Sequence, residues 1–162
     1  MSNQNYRLYS FANYYLSGLQ AGLQTAHVVS EMFDRNIIFG QMTDVAQVYS
    51  DWARHDKTII IVNGGNSLGI KTLADQLSFL GEQLGLPVAH FREDEQSLNN
   101  AYTTAGIIVP EKYYNTKYVM GTDIATHHTY ENEDGSVGVN FYDGTDEFAL
   151  ISLLRAHRLF SS

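Results

Sequence analysis

Four polar side chains, Gln20, Gln24, His27 and Glu31, recur at i, i+4, i+7 and i+11, a spacing that lines one face of a helix. Asn13, Tyr14 and Tyr15 stand just before them, and further on come the charged run Arg92-Glu93-Asp94-Glu95, Ser97, and the pair Thr103-Thr104. Tyrosine rings stack on flat ligands, a guanidinium pairs with phosphate, and amides read polar edges. Tyr14 and Tyr15 would stack on a base, Arg92 would hold a phosphate, and Asn13, Gln20 and Gln24 would read the polar edges. The pocket would lie between residues 13–20, 92–97 and 103–104, which brings Ser97 and Thr104 to its wall.

Other constellations are weaker. His127-His128-Thr129 offers two histidines, but neighbouring residues of a strand point to opposite faces. A two-histidine phosphoesterase would need a second His-x-Thr/Ser motif, which the chain lacks. No metal site and no cofactor are expected. Asn63-Gly64-Gly65-Asn66-Ser67-Leu68-Gly69 sits where phosphates bind, yet it has neither the Gly-x-Gly-x-x-Gly pattern nor a phosphate-loop lysine. It reads as a tight strand-to-helix turn. With no cysteine, a disulfide framework, a thiolate zinc site and a cysteine nucleophile are excluded together.

The chain of 162 residues carries 18 acidic and 10 basic side chains, a net charge of −8. Grip on a nucleic-acid backbone draws most of its affinity from basic side chains, so a broad tRNA footprint is disfavoured. A small anion held by one or two arginines is not. The length suits one domain, residues 1–162, and no apolar run approaches the roughly 20 residues of a membrane span. Residues 1–5 lack a basic, then apolar, export leader, so the expected location is the cytoplasm.

The elements that must position these residues follow from period and punctuation. Residues 6–12 read as a strand and 17–35 as an amphipathic helix capped by Ser17. Leu16, Leu19, Leu23, Ala26, Ser30 and Phe33 are its expected buried stripe. A helix capped by Thr43 fits residues 43–55. The β-branched run 58–62 reads as an interior strand covered on both faces. A third helix starts at Asn66 or Ser67, buries Ile70, Leu73, Leu77, Leu80 and Leu84, and ends at Gly85 and Pro87. Strands follow over 87–91 and 104–109. Residues 123–130 and 137–142 read as a hairpin, and 146–159 as a last helix burying Phe148, Leu150, Ile151 and Leu154. The expected fold is α/β: a mixed, mainly parallel four-stranded sheet with helices on both faces, plus a C-terminal hairpin and helix.

This succession resembles the type II, archaeal and eukaryotic, peptidyl-tRNA hydrolases over about residues 6–112. The helix Gly18-Leu-Gln20-Ala-Gly22-Leu-Gln24-Thr-Ala26-His27 is similar to the family's Gln-x-Ala-His helix. Trp52, residues 58–62, Leu84-Gly85-Leu86-Pro87, Phe91-Arg92-Glu93-Asp94 and the threonines before Ala105-Gly106-Ile107 answer in order to later family motifs. The family's turn lysines, which the resemblance implies would hold substrate and serve catalysis, are Gly18 and Gln20 here, and no lysine precedes Lys57. An amide cannot supply an ammonium's charge. The family's loop aspartate falls on Glu93 or Asp94, and its basic partner is missing from Gln96-Ser97-Leu98.

Two readings result. The first is a hydrolase-like fold that binds or sequesters a small nucleotide-like anion without turnover. A phage-type sponge for a host immune signalling nucleotide is one concrete form. The alternative is a divergent peptidyl-tRNA hydrolase using His27 or Asp94 with Thr104. The segment 117–144 is expected to form a lid or an interface, and a homodimer or higher homo-oligomer is an expected partner.

Overall fold

The computed structural model describes residues 5–38, 43–115, 127–131, 133–141 and 145–161, with only the backbone described for 97–98, 127–131, 137–141 and 145. The chain runs β1 (Tyr6–Asn13), α1 (Gly18–Phe33), a π-helical turn (Asp34–Ile38), α2 (Asp44–Asp51), a second π-helical turn (Trp52–Asp56) and β2 (Thr58–Gly65). It continues through α3 (Ser67–Leu84), β3 (Val88–Arg92), α4 (Glu95–Leu98), β4 (Tyr102–Pro110), α5 (Glu111–Tyr114), β5 (His127–Glu131), β6 (Val137–Phe141) and α6 (Thr145–Ala156).

The main sheet is mixed, in the order β2-β1-β4-β3. β1 and β2 are parallel, whereas β4 lies antiparallel between β1 and β3. β1, β2 and β3 therefore share a direction, but only one of the three pairings is parallel, fewer than a mainly parallel sheet implies. The expected hairpin is present as the antiparallel pair β5–β6; residues 123–126 and 142 lie outside the described residues.

The helices start where their capping chemistry is. Ser17 accepts from the Gln20 main-chain N–H while the Gln20 side chain accepts from Ser17 N, a complete capping box. Thr43 and Asn66 accept from the third residue after them in the same way. Gly85, at φ 67°, ends α3 in the left-handed conformation, and Leu86 N donates back to the Gly81 carbonyl.

Both faces of the sheet are covered. On one, Phe11, Val62, Ile107 and Val109 meet Ile70, Leu73, Leu77 and Leu80 of α3 and Leu150, Ile151 and Leu154 of α6. Phe148, expected in this core, is only half-buried. On the other, Leu8, Ala89 and Ile108 meet Val28 and Met32 of α1 together with Tyr49 and Trp52. Trp52 Nε1 donates to the Thr58 carbonyl at 3.0 Å, which ties the second π-helical turn to the start of β2.

Two expectations about these elements fail. The α1 face toward the sheet is Ala21, Gln24, Thr25, Val28 and Met32, while Leu19 is 77% and Leu23 56% exposed. Ala26, Ser30 and Phe33 are also on the outside; of the expected stripe only Leu16, ahead of the helix, is buried. The reason is the strand surface beneath. Ser10 is fully buried and its hydroxyl bonds that of Thr25 at 2.7 Å. A Cβ on Gly106 would stand 2.8 Å from Val28 Cγ1, so the helix approaches too closely for leucines. Turning leucines inward would also strand buried hydroxyls, at about 1–3 kcal/mol each.

The second failure is β2, which is an edge strand and not an interior one. Its apolar run still serves two faces, because Ile60 and Val62 pack with the α3 core while Ile61 packs with Ala12, Leu16 and Ala21. The tail after α6 covers part of its outer edge: Asn63 N donates to the Arg158 carbonyl and Phe160 N to that of Ile61, both at 2.9 Å. A run buried on both faces says nothing about its lateral place in a sheet.

Candidate functional site

α1 follows β1 onto one face of the sheet and α3 follows β2 onto the other, although β1 and β2 are adjacent and parallel. The chain thus reverses winding between them, which makes the carboxyl ends of β1 and β2 a switch point, the place where open α/β sheets take their ligands. Asn13, Tyr14 and Tyr15 leave β1 here, and Gly65 ends β2 at φ 90°. Tyr14 N donates to the Gly65 carbonyl at 3.0 Å, so the two turns are joined.

Asn13 is buried and anchors this end. Its Nδ2 donates to the Tyr102 carbonyl at 3.1 Å, and its Oδ1 accepts from Tyr15 N at 3.1 Å. The bonds hold Tyr14 and Tyr15 outward, 45% and 76% exposed, with ring centroids 4.1 Å apart and planes at 33°. The Tyr14 hydroxyl is shifted upward, chiefly by its hydrogen bond with Tyr15. On the other side of Tyr102, the Arg92 guanidinium lies 5.3 Å from the ring centroid, with its Nε donating to the Asn100 carbonyl at 2.8 Å. Asn99 and Asn100, both at positive φ, make the turn that allows this. Tyr102 N in turn donates to Ser67 Oγ at the start of α3.

Under the α1 face lies a closed polar network. Gln24 Nε2 donates to Glu93 Oε1 at 2.6 Å, and Gln24 Oε1 accepts from Thr103 Oγ1 at 2.8 Å. Thr104, fully buried, donates its hydroxyl to the Gln24 carbonyl at 3.3 Å. Each partner satisfies another, so the network clamps α1 to β4 and to the loop after β3.

The sequence-chosen residues therefore sort into groups. Asn13 and Arg92 both meet Tyr102, and Tyr14 and Tyr15 follow Asn13 in the turn, against each other. Gln24 and Thr104 are turned inward as clamp residues, and the Gln20 side chain is used by its own helix cap. Asp94 is exposed after β3, with its carbonyl accepting from Asn100 N. His27 stacks flat on Phe91, centroids 4.2 Å apart and planes at 10°. The Ser97 side chain lies outside the described residues, as do those of His127 and His128. Glu93, Tyr102, Ser67 and Gly65 were not chosen from the sequence. Glu93 carried a signal there, as a carboxylate at a strand's carboxyl end, and Gly65 and Ser67 carried one as part of the glycine-rich stretch that reads as a structural turn.

Among the described residues, no group of three or more His, Cys, Asp or Glu side chains is placed to hold a metal ion, and no helix is long and apolar enough to cross a membrane. No protein-family model and no curated protein matches the chain.

Proposed function

We propose that the chain binds a small nucleotide-like anion at the carboxyl end of β1 and β2 and sequesters it without turnover. The observation that carries this reading is the exposed Tyr14–Tyr15 pair, held outward by buried Asn13 at the switch point of the sheet. Paired, solvent-facing rings at a switch point suit a nucleobase. Arg92, fixed over Tyr102, supplies a guanidinium for the anionic end. In the most specific form of this proposal the protein is a phage-type sponge for a host's signalling nucleotide, built on a fold like that of the type II peptidyl-tRNA hydrolases. The order β1, Gln24-bearing α1, Trp52, β2, α3 with its Gly85-Leu86-Pro87 end, β3 with Arg92, and β4 with its threonines supports the likeness.

Turnover would need groups free to act on an ester. Gln24 and Thr104 are hydrogen-bonded into the clamp, and the net charge of −8 opposes docking of tRNA. The test is thermal shift against nucleotides, cyclic dinucleotides and ADP-ribose derivatives, with any hit recovered and checked by chromatography. A ligand at 100 times its Kd should add about 2.7 kcal/mol, roughly 5–10 °C for a domain of this size. Tyr15→Ala should weaken binding by about 1–3 kcal/mol, as loss of one base-stacking ring does. Recovery of a converted ligand, or cleavage of peptidyl-tRNA that Asp94→Ala abolishes, would replace sequestration with catalysis.

A further inference from the structure

After α6, residues 157–161 run back along the outer edge of β2 as an antiparallel strap, with Leu159 opposite Val62. Asn63 N donates to the Arg158 carbonyl and Phe160 N to that of Ile61, both at 2.9 Å. His157 Nδ1 donates to the Asn63 carbonyl, also at 2.9 Å. The strap reaches both faces of the sheet. On the α3 face the His157 ring stands edge-on to Phe11, centroids 5.0 Å apart. On the α1 face Phe160 packs with the cluster of Ala12, Leu16 and Ala21. The main chain of Arg158, between these two anchors, is therefore fixed.

Successive side chains of an extended chain alternate between faces, so Arg158 shares the α1 face with Phe160, and Asn63 shares it with Ile61. Each lies two residues nearer the carboxyl end of β2, above a cluster that includes Leu16, the residue after Tyr15. Asn63 pairs with Ala12, so the strap at Arg158 is two strand spacings, about 10 Å, from β1 near the point where Tyr14 and Tyr15 leave it. Arg158 is exposed, and neither its guanidinium nor the Asn63 Nδ2 has a partner among the described residues. The whole chain carries −8, yet residues 148–162 contain no Asp or Glu, so this segment supplies no carboxylate of its own to Arg158. A guanidinium on a fixed main chain, beside a free amide donor, suits an oxyanion from outside.

We infer that Arg158 is a second anion-binding residue of the tyrosine site, with Asn63 Nδ2 as its neutral co-donor, and that the ligand carries two separate phosphate groups. This rests on the nucleotide reading above and narrows its ligand. Across the sheet the order is strap, β2, β1, β4, β3, so Arg158 and Arg92 flank β1, where the tyrosines stand. Their main chains are four strand spacings, about 19 Å, apart. Arg92 is also held over Tyr102, which packs on the α3 side, whereas Arg158 lies on the α1 side. One phosphate group cannot meet both. A ligand that uses the two arginines has phosphates on either side of a stacked base, as a dinucleotide or a nucleoside 3′,5′-bisphosphate does and a nucleoside monophosphate does not.

Titration calorimetry of the whole chain tests it, with the 5′-monophosphates, 3′,5′-bisphosphates and cyclic dinucleotides of adenosine and guanosine as probes. The wild type should bind a two-phosphate probe at least about tenfold more tightly than the monophosphate of the same base. Arg158→Gln should remove most of that preference, and Arg158→Lys should keep part of it. Because Arg158 is exposed, the melting curve of Arg158→Gln without ligand should match that of the wild type, which separates a lost contact from a loosened fold. Phe160→Ala, which weakens the strap itself, should lose the preference and also melt earlier. A wild type without the preference, or an Arg158→Gln chain that retains it, would overturn the inference and leave the nucleotide reading standing. Failure of every probe to bind would remove that reading and the inference with it.

Discussion

The two faces of the sheet share an apolar core but differ in what is added to it. Toward α3 and α6 the strands present Phe11, Val62, Ala105, Ile107 and Val109, and the helices answer with leucine and isoleucine. Toward α1 the same strands present Ser10, Thr103, Thr104 and Gly106, and the helix answers with Ala21, Gln24 and Thr25 while its leucines point to solvent. The first face is held by the area it buries; the second has its own apolar cluster around Leu8, Val28, Met32 and Ile108 and adds matched hydrogen bonds to it. A helix that buries glutamine and exposes leucine departs from local economy, and such departures gather where a surface has another use.

Truncation should separate the faces most sharply. Leu77, fully buried on the α3 side, has no polar role, so Leu77→Ala should cost about 2–5 kcal/mol in chemical denaturation, as cavities in tight cores do. Gln24→Ala should cost about 1–3 kcal/mol for a different reason, since it strands the Thr103 hydroxyl and removes a donor to Glu93. A double-mutant cycle with Thr103→Val should show coupling of about 0.5–3 kcal/mol. Additive losses would mean that the clamp is packing alone, and the contrast between the faces would fall.

A smaller effect lies on β3, whose side chains divide between the two faces. His90 shares its face with Val88, against α3, and its Nδ1 is buried with no hydrogen-bond partner among the described residues. Burial, and then the Arg35 charge, hold its pKa below the usual 6.5, while Asp75 and Glu31 pull the other way. A depressed value means that the folded chain resists a proton which the unfolded chain accepts near 6.5. The stability from neutral His90 is therefore present above that pH and is lost as pH falls toward the folded value. Denaturation curves at about pH 7 and about pH 5 should show a smaller acid loss in His90→Gln than in wild type. Equal losses would assign the acid sensitivity to other groups.

The difference between the faces also marks how far the sequence could be read. α3 was legible because one apolar stripe, Ile70 to Leu80, had one possible use, and Asn66 and Gly85 punctuated it. Thr43 and Ser17 likewise announced their helices through hydroxyls that only a cap employs well. The rotation of α1 was not legible. Two stripes compete on that helix, and the choice depends on Ser10 and Gly106, which are distant in sequence and meet α1 only through the sheet order. The lateral place of β2 was hidden for a similar reason, since Ile59 to Val62 read the same at an edge as at the centre. Of the site, Tyr14, Tyr15 and Arg92 were legible as residue types. Tyr102, which meets both Asn13 and Arg92, was not, because its part is a main-chain carbonyl and a ring under a guanidinium.

The smallest expected effect is the most discriminating. Leu23 and Leu77 are the same residue type on helices against the same sheet, and periodicity alone gives both to the core. If α1 is rotated as described, Leu23→Ser in dilute protein, where association contributes nothing, should change unfolding free energy by no more than about 0.5 kcal/mol. Helix propensity accounts for part of even that change, because serine forms helix slightly less well than leucine. A loss above about 2 kcal/mol would mean that the chain itself covers Leu23. The stripe Leu19, Leu23, Ala26 would then be core, Gln24 would leave the sheet, and the polar clamp would be lost in one measurement.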